Sequence, residues 1–186
     1  MTREDFQDLG NQKNDFIASC TWQGTLCDPS YFEVFQNYMY GNCFTFNTSK
    51  VNSSVSGTGP YNGLSLFLFL EQEEYMDRIA SAAGARVTIH EFHFKPQPEE
   101  EGFYVAPGFT TSISLRKMTT QTVKPICDPN KKTTVDNEKT YSYSRTNCMK
   151  KCLSDEIIRQ CNCAGTQFFL DMKTCSANNE TEGKNM

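Results

Sequence analysis

The chain has no long hydrophobic run: its longest, LSLFLFL at Leu64 to Leu70, is far short of the ~20 apolar residues that a bilayer-crossing helix needs. The opening MTREDFQDLGNQKNDF is polar and acidic, without the apolar core of a secretory signal peptide. Histidine is scarce, with His90 and His93 the only two, and three residues apart on a predicted strand they point to opposite faces. No nucleophile elbow, phosphate-cradling glycine loop or metalloprotease helix is present, so neither an enzyme nor a cofactor is indicated. Basic residues are scattered singly or in pairs, which gives nucleic-acid binding no footprint.

Cysteine, by contrast, is abundant. Nine in 186 residues is a density typical of a disulfide framework built in an oxidising compartment. Three glycosylation acceptor triplets agree, at Asn47 (NTS), Asn52 (NSS) and Asn179 (NET). An odd cysteine in such a protein needs a partner elsewhere or remains a thiol. These features predict a secretory-pathway ectodomain that is an internal piece of a longer protein. Zinc is the rival for the cysteines, but structural zinc prefers two closely spaced C-x2-4-C pairs. Cys148 and Cys152 match that spacing loosely, whereas Cys161 and Cys163 are too close. No metal ligand set is assigned.

Apolar content of 38%, with fourteen Phe and eight Tyr, is enough for a core in one domain or the bulk of one. The net charge of −4 is uneven: Met1 to Thr110 holds fourteen acids and six bases, Thr111 to Met186 eight acids and twelve bases. Such halves either face each other or a neighbouring subunit, or are two solvated faces of unlike composition.

Cys20 and Cys27 bracket TWQGTL, so a disulfide between them would close a small turn-like loop. Pro29 to Tyr40 is compatible with a short helix or an irregular packed loop. Cys43 to Phe46 alternates as a strand and ends in the polar loop NTSKVNSSVSGTGP. Leu64 to Leu70 is apolar on both faces, the pattern of a central strand. Glu71 to Ala83 switches to helical spacing, with Gly84 at the expected C-terminal position. Strands are predicted at Val87 to Phe94 and Thr110 to Lys117, separated by turns and the exposed acidic run Glu99 to Glu101. Cys127 opens a polar linker, Asp128 to Ser142, and a helix is predicted from Arg145 to Gln160. Cys148 and Cys152 lie one turn apart on one face of it, each suited to reach a separate element rather than the other. Cys161 and Cys163 diverge if the backbone is extended, and Cys175 is the only cysteine close enough downstream to fold back. The tail 176–186 lacks anchoring residues and is predicted to be disordered.

Glu73 and Glu74 open the predicted helix at Glu71 to Ala83. Acids there stabilise the positive helix end by roughly 0.3–1 kcal/mol each, which suffices to explain them. Facing a second acidic surface, the same pair would register protons or cations.

Six strings resemble, in order, the epithelial sodium channel, degenerin and acid-sensing ion channel family. They are DFIASCTWQGTLC (Asp15 to Cys27), GNCFTFN (Gly41 to Asn47), GLSLFLFLEQEEY (Gly63 to Tyr75), GARVTIH (Gly84 to His90), VAPGFTTSISLRK (Val105 to Lys117) and YSRTNCMKKCLSDEIIRQCNC (Tyr143 to Cys163). The resemblance implies an α+β, disulfide-rich ectodomain with a mixed β-sheet palm and a β-ball, surrounded by finger and thumb helices. Residues 1–175 would be part of it, from finger to first thumb helix. It implies a subunit of a trimeric, amiloride-sensitive, sodium-selective channel at the plasma membrane, homo- or heteromeric, with two transmembrane helices and the pore outside this chain. By the same resemblance Cys20 pairs with Cys27 and Cys163 with Cys175, while Cys43, Cys127, Cys148, Cys152 and Cys161 have partners outside the segment. Glu73 and Glu74 match the acidic pair that acid-sensing members place between finger and thumb, although GARVTIH and TSISLRK are nearer the epithelial type. A secreted disulfide-rich binding protein derived from such an ectodomain is the alternative.

Overall fold

Every strand ladder among the described residues is antiparallel and short, and the disulfides stand where ladders or helices end. The computed structural model describes residues 7–51, 54–55, 57–75, 82–118, 132–135, 139–165 and 173–175. In chain order the elements are α1 (Lys13–Phe16), β1 (Ile17–Trp22), β2 (Thr25–Leu26), β3 (Phe32–Asn37), β4 (Gly41–Phe46), β5 (Leu64–Leu68), β6 (Ala85–Val87), α2 (Pro98–Glu101), β7 (Phe103–Val105), β8 (Lys132–Val135), β9 (Lys139–Ser142) and α3 (Arg145–Cys161). Turns of 3-10 helix lie at Pro29–Tyr31, Thr48–Lys50, Pro60–Asn62 and Gln72–Glu74. The fold is α+β and carries two disulfides, as the sequence predicts. The chain divides into two compact units, Glu4–Ile89 with Gln97–Arg116, and Met1–Arg3 with His90–Pro96 and Lys117–Met186.

In the first of these units β1 is the middle of a three-stranded sheet ordered β2-β1-β5. Gln23 and Gly24 join β1 to β2 with φ of 50° and 75°, two left-handed positions whose twist suits a two-residue hairpin. Just outside that turn the Cys27 amide donates to the Cys20 carbonyl at 3.0 Å, and the two side chains are bonded. The strand predicted over Leu64 to Leu70 ends at Leu68 and, among the described residues, is an edge strand rather than a central one. Leu66 and Phe67 are 41% and 67% exposed. Apolar residues on both faces record a preference for burial, and not how many strands are at hand to provide it.

Strands β3 and β4 form a hairpin registered from Phe32 opposite Phe46 to Asn37 opposite Gly41. Pro29 to Tyr40 is therefore a 3-10 turn followed by a strand, neither of the two forms that the sequence left open. Asn37 closes the hairpin turn: its Oδ1 accepts from the amides of Met39 (2.9 Å) and Tyr40 (3.1 Å), and its Nδ2 donates to Glu99 at 2.9 Å. Phe46 is the hub of the aromatic packing, with ring centroids 5.3 Å from Phe32, 5.5 Å from Trp22 and 6.4 Å from Tyr31. Phe16 at the end of α1 adds a contact to Phe44 at 5.6 Å, so α1 through Phe16 and β1 through Trp22 share one aromatic layer with the β3–β4 hairpin.

The strand predicted over Val87 to Phe94 does not form: β6, which pairs with β7, ends at Val87, and residues 88–94 are irregular or turn. Residues 110–117 form no strand, because no partner strand runs beside them among the described residues. Gly84 leads into β6 with φ of 153°, and a Cβ there would sit 2.6 Å from the Val105 carbonyl oxygen.

In the second unit β8 and β9 pair where a polar linker is expected, their Thr, Val and Tyr content favouring a pleated ladder. The Ser142 amide donates to the His93 carbonyl at 2.7 Å. Helix α3 matches its predicted span. Ser144 caps it by accepting from the Asn147 amide at 3.2 Å, and Asn162 ends it in the left-handed region. Beyond it, Cys163 is fully buried and bonded to Cys175, and backbone bonds at Ala164 hold the loop. The predicted disordered tail, 176–186, lies outside the described residues.

Candidate functional site

Where β5 ends, the chain turns sharply, and the turn carries the acidic pair. Glu71 takes the left-handed conformation, φ 43° and ψ 49°, and its carbonyl accepts from the Glu74 amide at 2.9 Å. Gln72–Glu74 is thus a single 3-10 turn, after which Tyr75 is extended. The helix predicted from Glu71 is absent at this start, and residues 76–81 of it lie outside the described residues. The turn is closed by two i→i+3 bonds, the second from the Tyr75 amide to the Gln72 carbonyl at 3.2 Å, and a turn this short has little macrodipole of its own.

Leu68 to Glu74, together with Pro107 and Gly108, line an open cleft of about 450 Å³. Leu68, Phe69 and Leu70 supply apolar wall, and Glu71, Glu73 and Glu74 are the only ionisable groups among the described residues that line it. Such a cleft favours a cation or a positively charged side chain, since three carboxylates on one turn raise the local negative potential. Pro107 and Gly108 escape the sequence reading, which marks them only as turn formers. Nothing local in PG signals a cleft wall, because its place depends on the β6–β7 ladder. Among the described residues no group of three or more His, Cys, Asp or Glu is arranged to hold a metal ion. His90 precedes the turn that contains His93, so the two do not share a strand, and His93 packs edge-on against Phe92 at 5.0 Å.

The structure joins Cys20 to Cys27 and Cys163 to Cys175. Cys148 and Cys152 stand as exposed thiols on α3, unbonded to each other, and Cys161 lies half-buried in its last turn. Cys43, on β4, is also an unbonded thiol, its pKa pushed up to about 12, chiefly by burial and then by the charge of Glu99. Cys127 lies outside the described residues.

Of the glycosylation candidates, Asn52 and Asn179 lie outside the described residues and Asn47 is 6% exposed. Asn47 Nδ2, the atom that would carry a sugar, donates to Glu33, while Oδ1 accepts from the amide and hydroxyl of Ser49 at 2.9 and 2.6 Å.

A model of the amiloride-sensitive sodium channel family matches residues 1–185. The chain belongs to that family. It is 34% identical over 159 residues to epithelial sodium channel subunit alpha of Anolis carolinensis, which covers 83% of this chain and 25% of that protein. Against subunit gamma-2 of Xenopus laevis the identity is 31% over 173 residues, 88% of this chain and 26% of that protein. Against the human alpha subunit it is 34% over 163 residues, 84% and 24%. The chain spans about a quarter of the length of the curated relatives it matches. Those relatives are named as channel subunits, and no enzyme is among the three. No helix among the described residues is long and apolar enough to cross a membrane.

Proposed function

We propose that this chain is the extracellular portion of an amiloride-sensitive, sodium-selective channel subunit at the plasma membrane, and that it couples an extracellular stimulus to the pore. The family match along residues 1–185 carries this reading. In it, β3–β4 and the strands after it belong to palm and β-ball, the Glu71 to Ala83 segment to the finger, and α3 to the first thumb helix. Two transmembrane helices and the sodium pathway lie in the rest of the subunit, which assembles as a homo- or heterotrimer. Cys43, Cys127, Cys148, Cys152 and Cys161 bond to cysteines beyond the segment, and Asn52 and Asn179 carry glycans.

Glu73 and Glu74 are the gating pair in this proposal, supported by their place on the acid-lined cleft. Carboxylates that meet a partner surface in only one state bias the channel toward that state. The test is the complete subunit, co-expressed with relatives of the family and read by amiloride-blocked sodium current. Changing Glu73 and Glu74 to Gln together shifts the response to extracellular pH or cations and leaves selectivity intact. An unchanged response removes the pair from gating, and absence of amiloride-blocked current from every subunit combination rejects the channel reading in favour of a secreted binding protein.

A further inference from the structure

Tyr104 stands on β7 with 70% of its surface exposed, and helix α2 places Glu99, Glu100 and Glu101 three to five residues before it. Gly102, extended at φ −78° and ψ 161°, turns the chain directly from that acidic helix into the strand. Glu99 accepts from Asn37, and Glu100 and Glu101 are exposed. Among the described residues β7 pairs with β6 alone. The Arg86 guanidinium lies over the Tyr104 ring at 4.3 Å, and the Tyr40 hydroxyl is 3.3 Å from that of Tyr104.

We propose that Tyr104 is a tyrosine O-sulfation site. The inference rests on the extracellular reading above, because it requires passage through the secretory pathway. A transferase that must hold a polyanionic nucleotide phosphosulfate presents a positively charged groove, and such a groove draws acceptor segments that carry exposed carboxylates. In the transfer the Tyr104 phenol oxygen attacks the donor sulfur and forms the ester S–O bond. The bond from sulfur to the bridging phosphate oxygen breaks, the nucleotide leaves with a terminal phosphate, and the phenol proton passes to a base of the transferase. No oxidant or reductant is needed. The product bears a permanent negative charge beside Tyr40, whose hydroxyl is placed to donate to it, and next to a guanidinium already stacked on the ring. Sulfation thereby ties the β3–β4 turn more firmly to β7.

Tyr75 provides an internal control. Glu73 and Glu74 immediately precede it, a context as acidic as that of Tyr104, yet Tyr75 is half-buried. Because sulfation acts on the folded chain, exposure selects Tyr104. The experiment labels the full-length subunit with radioactive sulfate in secretory cells, removes the glycans and maps the peptides. Label is expected in the peptide spanning Glu99 to Arg116, resistant to phosphatase, absent from Tyr104→Phe and reduced severalfold in Glu100→Gln/Glu101→Gln. The Tyr75 peptide should carry none. Label on Tyr75 instead, or none on Tyr104 in a sample that bears mature glycans, overturns the proposal while leaving the channel reading intact. A subunit without glycans and with Cys20 and Cys27 reduced overturns both.

Discussion

The β3–β4 hairpin and strand β5 invert what their compositions suggest. β5 reads LSLFL and is the more apolar, yet its Leu64, Leu66 and Phe67 are exposed at a sheet edge. β3–β4 mixes Glu33, Gln36, Asn37, Asn42 and Thr45 with its aromatics, yet it contains buried Phe32 and Asn37 and holds the ring cluster around Phe46. What separates them is company. Each has one partner strand among the described residues, but the hairpin strands supply each other through a short turn, whereas β5 pairs with the sequence-distant β1. Apolar content sets how much a strand gains by burial, and sequence-local pairing decides whether it gains it within this chain.

The sharpest probe is the thiol on β4. With its pKa pushed up to about 12, Cys43 holds almost no thiolate at neutral pH. In the reduced chain it should alkylate roughly a hundredfold more slowly than the exposed Cys148 and Cys152, read by timed mass mapping. Equal rates would mean that the hairpin is as open as β5.

Core truncation comes next. Phe46→Ala removes the hub of the ring cluster and should cost about 3 kcal/mol in denaturant unfolding, against less than about 1 kcal/mol for Leu66→Ala at the exposed edge. Matching costs would break the contrast. A Leu66→Ala penalty that rises in the full-length subunit would instead show that other strands complete the β5 edge there.

A smaller effect isolates the turn. Gly41 has φ of 67° with no atom near the place of a Cβ, so Gly41→Ala meets backbone strain and no clash. The expected loss is about 1 kcal/mol, measured the same way. A neutral result would show that the hairpin turn rearranges freely.

The smallest lies in the second unit, on α3, which owes its form to local bonds. Hydrogen bonds from Arg159 and Gln160 hold the exposed Glu156 carboxyl down to about 2 from its ordinary 4.5. A carboxylate depressed on folding stabilises fully above its unfolded pKa and loses that support as pH falls through its folded one. The helix signal in circular dichroism should therefore weaken slightly as pH drops from 4.5 toward 2. Glu156→Gln should abolish that acid limb, and its persistence in the variant would assign it to other carboxylates.

Helix α3 was fully legible in the sequence. Each i→i−4 bond joins residues within the same stretch, and the structure adds the caps, Ser144 and Asn162. The Cys20–Cys27 loop and the β4 strand were legible for the same reason, since their partners lie a few residues away. The acidic pair was visible as residues, but its setting was not: a left-handed Glu71 and the approach of Pro107 and Gly108 place it on a cleft turn. Strand identity at β3, the β8–β9 ladder and, among the described residues, the edge position of β5 and the lack of a strand over 88–94 and 110–117 were decided only by tertiary structure. A strand satisfies its backbone through a neighbour, and the neighbour is chosen by how the whole chain packs.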